Sequence, residues 1–211
     1  MKTYLCKSIL AVSVVLMLAS CQSNVRTDIA TFRNTSIPFA KGDIRVVPVD
    51  IKGTENLEFR YYKIRVEDKL RALGFTPTES ATSEYIAQLA YGVSRQEADK
   101  LGSRVFVSGN IGRFSRYSHY GSVIFADDLG KEFEFVREID LIVAKRSKDT
   151  RVADEKADKG EQLIQVRALS EGKCEYLTVV FDEMLEAIFS DFLRPNGSVE
   201  KVSVKGDIRC P

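Results

Sequence analysis

The 211-residue chain has no tryptophan and only one histidine, His119. The first absence disfavours carbohydrate sites built on indole stacking. The second removes multi-histidine metal sites, because one imidazole cannot complete a zinc ligand set. Charge of one sign is also lacking: 31 basic residues against 30 acidic ones leave a formal charge of +1. Nucleic-acid binding needs a basic face to displace phosphate counterions, so this balance argues against it. It argues equally against a polybasic membrane patch. There is no G-x-S-x-G elbow and no P-loop, and Gly109-Asn110-Ile111-Gly112 is too short to be a dinucleotide fingerprint. No internal repeat or low-complexity segment occurs. Beyond residue 18 no stretch is long and apolar enough to span a bilayer.

What the chain does have begins at its N-terminus. Lys2 and Lys7 precede a run from Ile9 to Leu18 that is apolar except for Ser13, and the small residues Ala19 and Ser20 lead to Cys21. A basic n-region, a short h-region and small residues at its end describe a secretory signal. As a helix the run covers ~15 Å, about half a bilayer core, too little for a permanent span. Leu18-Ala19-Ser20-Cys21 resembles the lipobox of bacterial lipoproteins. That resemblance implies diacylation of the Cys21 thiol, cleavage before Cys21 and acylation of the new amine. With about 0.8 kcal/mol per buried methylene, three acyl chains make a permanent lipid anchor in the membrane. Gln22, not Asp, follows the cysteine. By the enterobacterial sorting rule this implies the outer membrane, with the body facing the periplasm. The expected organisation is a signal peptide over 1–20, a lipidated N-terminus and tether over 21–24, and a single domain over 25–211. Losing residues 1–20 removes two lysines and no acids, so +1 − 2 gives −1.

The chain has four cysteines. Cys6 leaves with the signal and Cys21 carries lipid. Cys174 and Cys210 remain in an oxidising compartment, where disulfides persist. A helix over 176–193 would be ~27 Å long. A strand over 199–210 reaches up to ~40 Å, enough to return Cys210 to the level of Cys174. A structural Cys174–Cys210 disulfide is therefore expected; the alternative is two free buried thiols.

Periodicity supplies the architecture. Strands are expected over 25–32, 44–49, 85–93, 105–111, 163–169 and 199–208, with a long one carrying Phe133, Phe135, Ile139, Leu141 and Val143 in one row. Arg137 interrupts that row, which points to a strand end, a bulge or a paired charge, and less to a functional arginine. Two helices stand out. Over 55–73, Phe59, Tyr62, Val66, Leu70 and Leu73 share a face, and Gly74, Phe75 and Pro77 form a C-terminal stop. Over 176–193, Leu177, Phe181, Met184, Leu185, Ile188 and Phe192 make a broad stripe. Leu57, Tyr61 and Ile64 form a second apolar stripe on the first helix, suited to covering a sheet edge or meeting a partner. The charge-dense segment 145–161 reads as a solvated hairpin loop. The fold class is α+β: a mainly antiparallel sheet with two helices packed on one face.

Several of these segments occur together in one family. Ala30-Thr31-Phe32, Leu70-Arg71-Ala72-Leu73-Gly74-Phe75, Ala90-Tyr91-Gly92-Val93 and the helix Glu183-Met184-Leu185-Glu186-Ala187-Ile188-Phe189-Ser190-Asp191-Phe192 resemble bacterial envelope lipoproteins with the uncharacterised domain of unknown function 4136. Leu193, standing between Phe192 and Arg194-Pro195, departs from that pattern. The resemblance implies location and fold and carries over no catalytic residue.

For a functional surface, the segment Arg113-Phe114-Ser115-Arg116-Tyr117-Ser118-His119-Tyr120 interleaves bases with aromatics. Arg113, Phe114, Arg116, Tyr117, His119 and Tyr120 are the candidate partner-contact residues, since exposed Tyr and Arg favour interfaces. The bland alternative is a loop whose aromatics lie back on the sheet. No catalytic set, metal ligand set or cofactor motif is evident. The leading expectation is a non-enzymatic outer-membrane lipoprotein, a periplasmic interaction or assembly module meeting an envelope protein or polymer and no nucleic acid. A binding protein for a small molecule or lipid, with a pocket between helices and sheet, is the competing class. A carboxylate-pair hydrolase is the third.

Overall fold

The computed structural model describes residues 23–49, 56–97, 133–146, 160–206 and 208–210. The described residues build seven strands and two helices in an α+β arrangement: β1 Ser23–Arg33, β2 Asp43–Pro48, α1 Leu57–Ala72, β3 Thr76–Pro77, β4 Tyr85–Glu97, β5 Phe133–Lys145, β6 Glu161–Gly172, α2 Phe181–Phe189 and β7 Ser198–Gly206. A short 3-10 turn, Leu177–Val179, leads into α2.

The strands lie in the order β3-β2-β4-β5-β6-β1-β7. From β4 through β5, β6 and β1 to β7, each adjacent pair is antiparallel. β2 is parallel to both β3 and β4. The sheet is therefore mixed, which corrects the expectation of a mainly antiparallel one. The cause is α1: a strand, a helix and a strand in succession form a crossover, and a crossover returns the chain in the same direction. The N-terminal strand β1 sits between β6 and β7, near the other end of the sheet.

Side-chain alternation gives the sheet two faces. Val25, Ile29, Ile44, Val46, Ala87, Leu89, Ile139, Leu141, Val143, Val166 and Ala168 point to one of them and are buried with the apolar stripes of both helices. Tyr62 of α1 stacks on Phe181 of α2 with ring centroids 4.0 Å apart, and meets Tyr91 of β4 edge-on at 4.6 Å. Burial pushes the phenols of Tyr62 and Tyr91 well above their ordinary pKa.

α1 begins at Asn56, whose side chain accepts the Phe59 amide at 2.6 Å. Its end is the expected glycine stop. Gly74 has φ +94°, Phe75 N–H donates to Leu70 O and Gly74 N–H to Arg71 O, the paired bonds of a Schellman motif. Phe75 is buried against Tyr85. The second expected helix is shorter than its stripe suggested. Val180 (φ −127°, ψ 2°) breaks the chain between the 3-10 turn and α2. The apolar stripe still points inward, because Leu177, Phe181, Met184, Leu185, Ile188 and Phe192 are all buried.

Candidate functional site

Glu138 and Asp140 lie on β5 opposite the apolar row, on the sheet face away from the helices. Alternation alone would put them in solvent. Instead the centre of this face is buried at Ile86, Ala90, Val136 and Ile142, and Asp140 is only 1% exposed. β6 supplies the partners. Arg167 is directly opposite Asp140 and places Nε 3.2 Å from Oδ2. Gln165, one pair further along, donates Nε2 to both Asp140 oxygens at 3.0 and 2.9 Å. Burial raises the Asp140 pKa, while Gln165 and Arg167 oppose that rise. Glu138 faces Gly92 and Leu169 across the ladders. Its carboxyl is pushed up to about 7, first by burial and then by the neighbouring Asp140 charge, with Arg167 pulling the other way.

This cluster holds a carboxyl near neutrality beside a carboxylate fixed by an arginine. Glu138 can therefore take up or release a proton near neutral pH. A groove of about 240 Å³ lies at the ends of β1 and β6, lined by Phe32, Arg33, Asn34, Leu163, Gln165 and Asn196 among others. It shares only Gln165 with the cluster, and it is not between the helices and the sheet. Among the described residues no three His, Cys, Asp or Glu side chains converge as a metal site.

The structure places the expected site residues unevenly. Cys21 and the segment Arg113, Phe114, Arg116, Tyr117, His119 and Tyr120 lie outside the described residues, as do the strand expected over 105–111 and most of the charge-dense segment after Lys145. Cys174 and Cys210 come together at disulfide distance, Cα to Cα 5.7 Å. Arg137 is buried on the helix-bearing face, mid-strand, with Nε 3.3 Å from Ser170 O, Nη2 3.4 Å from Ser170 Oγ and Nη1 3.5 Å from Cys174 O. It braces the segment that carries Cys174. Gly172 leaves room for it, since a Cβ there would lie 2.7 Å from Nη2.

Sequence reasoning missed the cluster. The signal was present: two carboxylates alternating on one strand and Gln165 and Arg167 alternating on another. Nothing local showed that the strands would pair in register or that the face would be buried. Sequence reasoning also missed Arg194, which is 2% exposed and ends α2. It donates to the carbonyls of Ala187, Ile188 and Asp191, to Ser190 Oγ, and to Glu200 at 3.0 Å. The carbonyls of Ala187 and Ile188 are among those a helix leaves without partners at its C-terminus.

No protein-family model matches the chain, and no curated protein matches it. Among solved structures it is similar to a PDZ domain protein from Parabacteroides distasonis, at 15% identity and a TM-score of 0.43. That alignment covers 93% of this chain and 42% of the other, so the chain spans less than half of that protein's length. No helix among the described residues is long and apolar enough to cross a membrane.

Proposed function

We propose that the protein is a non-enzymatic lipoprotein of the bacterial outer membrane, held on the periplasmic side by acyl chains on Cys21 and acting as an interaction or assembly module. The resemblance to envelope lipoproteins with the domain of unknown function 4136 fits this reading. The observation that carries it is the position of Cys21. It ends a lipobox-like sequence after a signal-like run, and β1 begins only two residues later, at Ser23. Cys174 and Cys210 at disulfide distance support an oxidising compartment. The partner is an envelope protein or polymer.

The test is labelling with a palmitate analogue in a Gram-negative host, followed by membrane fractionation of the wild type and of Cys21→Ala. Label and outer-membrane recovery that both depend on Cys21 are expected. A Cys21→Ala protein of unchanged mass in the same membrane fraction would overturn the reading.

A further inference from the structure

We infer that the first two turns of α1 rest on the surface of the bilayer that holds Cys21, an inference that rests on the lipid-anchor reading above. The stripe Leu57-Tyr61-Ile64 does not cover a sheet edge, because its exposures of 82%, 40% and 58% leave it uncovered. It is also local to one half of the helix. Further along the same exposed face, the next residues are Asp68 and Arg71, paired at 2.5 Å. The outer face of α1 thus runs from apolar at its N-terminus to ion-paired at its C-terminus.

The fold puts the apolar half at the anchored end. Ile29 of β1 pairs with Ala168, Ala168 with Ile139, and Ile139 with Tyr91, against which Tyr62 packs. Tyr62 and Ile29 therefore lie at one level. α1 ends beside Phe75, which meets Tyr85 at the start of β4. β1 runs antiparallel to β4, so the N-termini of α1 and β1 lie toward the same end of the sheet. From the level of Tyr62, Leu57 is ~7.5 Å away along the helix. Ser23 is ~20 Å from the level of Ile29 in the same sense. Four strand spacings separate β2 from β1, a lateral offset of ~19 Å. Cys21, two residues before Ser23, is within ~7 Å of it. So short a tether leaves the body no room to stand clear of the membrane. With the sheet tilted, one plane meets both the anchor and the stripe.

The composition of the stripe suits a lipid surface. Leu57 and Ile64 offer apolar side chains for the acyl boundary, and Tyr61 is an interfacial ring type. Arg60 is exposed on one flank of the stripe, at headgroup height. Arg65 on the other flank lies 3.5 Å over the Tyr61 ring and pairs with Asp182 at 2.9 Å, which holds the ring in place. Glu58 stands off the stripe, on the Arg65 side.

The lack of tryptophan makes the test clean. Full-length lipidated Tyr61→Trp and Leu57→Trp, each carrying a single indole, are reconstituted into vesicles of phosphatidylethanolamine and phosphatidylglycerol doped with brominated phosphatidylcholine. Arg71→Trp, on the same face at the far end, is the reference. An interfacial helix buries its apolar face ~5–10 Å into the headgroup and acyl boundary, so both stripe reporters should be blue-shifted and quenched about twofold or more by the bromines, and Arg71→Trp should not. Stripe reporters that behave like Arg71→Trp in pure lipid would overturn the inference. If that happens in vesicles while the stripe is protected only in native envelopes, the occupant is a protein. Mass analysis of the Cys21 peptide separates the failures. An unacylated Cys21 overturns the anchor reading and this inference with it, whereas an acylated Cys21 with unquenched stripe reporters overturns only the bilayer contact.

Discussion

Arg167 and Asp140 face each other across β6 and β5, the guanidinium Nε 3.2 Å from the carboxylate Oδ2, with 9% and 1% of the two residues exposed. Removing one member of such a pair leaves the other charge buried without its counter-charge. Arg167→Leu is therefore expected to cost about 3–5 kcal/mol in urea denaturation. The double variant Arg167→Leu, Asp140→Leu should recover most of that loss, because neither member of the pair is then left buried without its counter-charge. A double variant as unstable as the single one would show that the ion pair does not account for the loss.

Glu138 predicts a pH dependence of the opposite sense to that of an ordinary salt-bridged carboxylate. Its pKa is raised in the fold, from 4.5 to about 7. Above its unfolded pKa the unfolded chain releases this proton more readily than the folded one. The contribution to stability is thus fully present below pH 4.5 and is lost as pH rises through 7. At about 1.4 kcal/mol per pKa unit, the span is at most about 3–4 kcal/mol. Glu138→Gln should be more stable than the wild type at pH 8 by up to that amount and similar to it at pH 4. Urea midpoints for the two proteins that stay parallel from pH 4 to 8 would count against the raised pKa.

Cys174 and Cys210 are separated by 36 positions in sequence and by 5.7 Å between Cα atoms. A bond between them would close a loop worth about 3–4 kcal/mol in the chain-entropy model. Cys210→Ser is expected to lose that much stability and to free the chain end after β7 for proteolysis. Titration of the mature protein under denaturing, non-reducing conditions should find neither thiol, and two titratable thiols would refute the bond.

With one planar guanidinium Arg194 donates to two carbonyls in the last turn of α2, Ala187 and Ile188, and to Asp191 O beyond it. A lysine carries the charge without the fork, so Arg194→Lys is not conservative here. A loss of about 1–3 kcal/mol is expected for Arg194→Lys, and at least as much for Arg194→Met, because the Ile188 carbonyl loses the guanidinium donor while Ala187 O keeps Ser190 Oγ. Equal stability of Arg194→Lys and the wild type would mean that charge alone is needed.

The elements built from local rules were legible in the chain. The stop at Leu73-Gly74-Phe75 was readable because a left-handed residue after a helix calls for glycine, and the next residue for an apolar contact. Six of the seven described strands were readable from alternation, with ends within about four residues; the two-residue β3 was not expected. Cys174 and Cys210 were readable as neighbours because a helix followed by a returning strand leaves little freedom in where the chain ends. The expected long second helix was wrong in detail: an apolar stripe with helical spacing fits a 3-10 turn plus a short helix as well as one continuous helix. The mixed sheet was missed because pairing was assigned by sequence neighbour, whereas α1 carries β2 into parallel pairing with β4.

The sequence by itself determined which residues alternate and where α1 starts and stops, because each of these depends on side chains a few positions apart. Only the tertiary structure decided the fate of the charges. Asp140 meets Gln165 and Arg167, 25 and 27 positions away, and Arg137 meets carbonyls 33 and 37 positions away. Whether a charge on a strand is solvated or buried depends on the register of the strand beside it and on what lies over that face. Both are settled by contacts between distant parts of the chain, which no local pattern records.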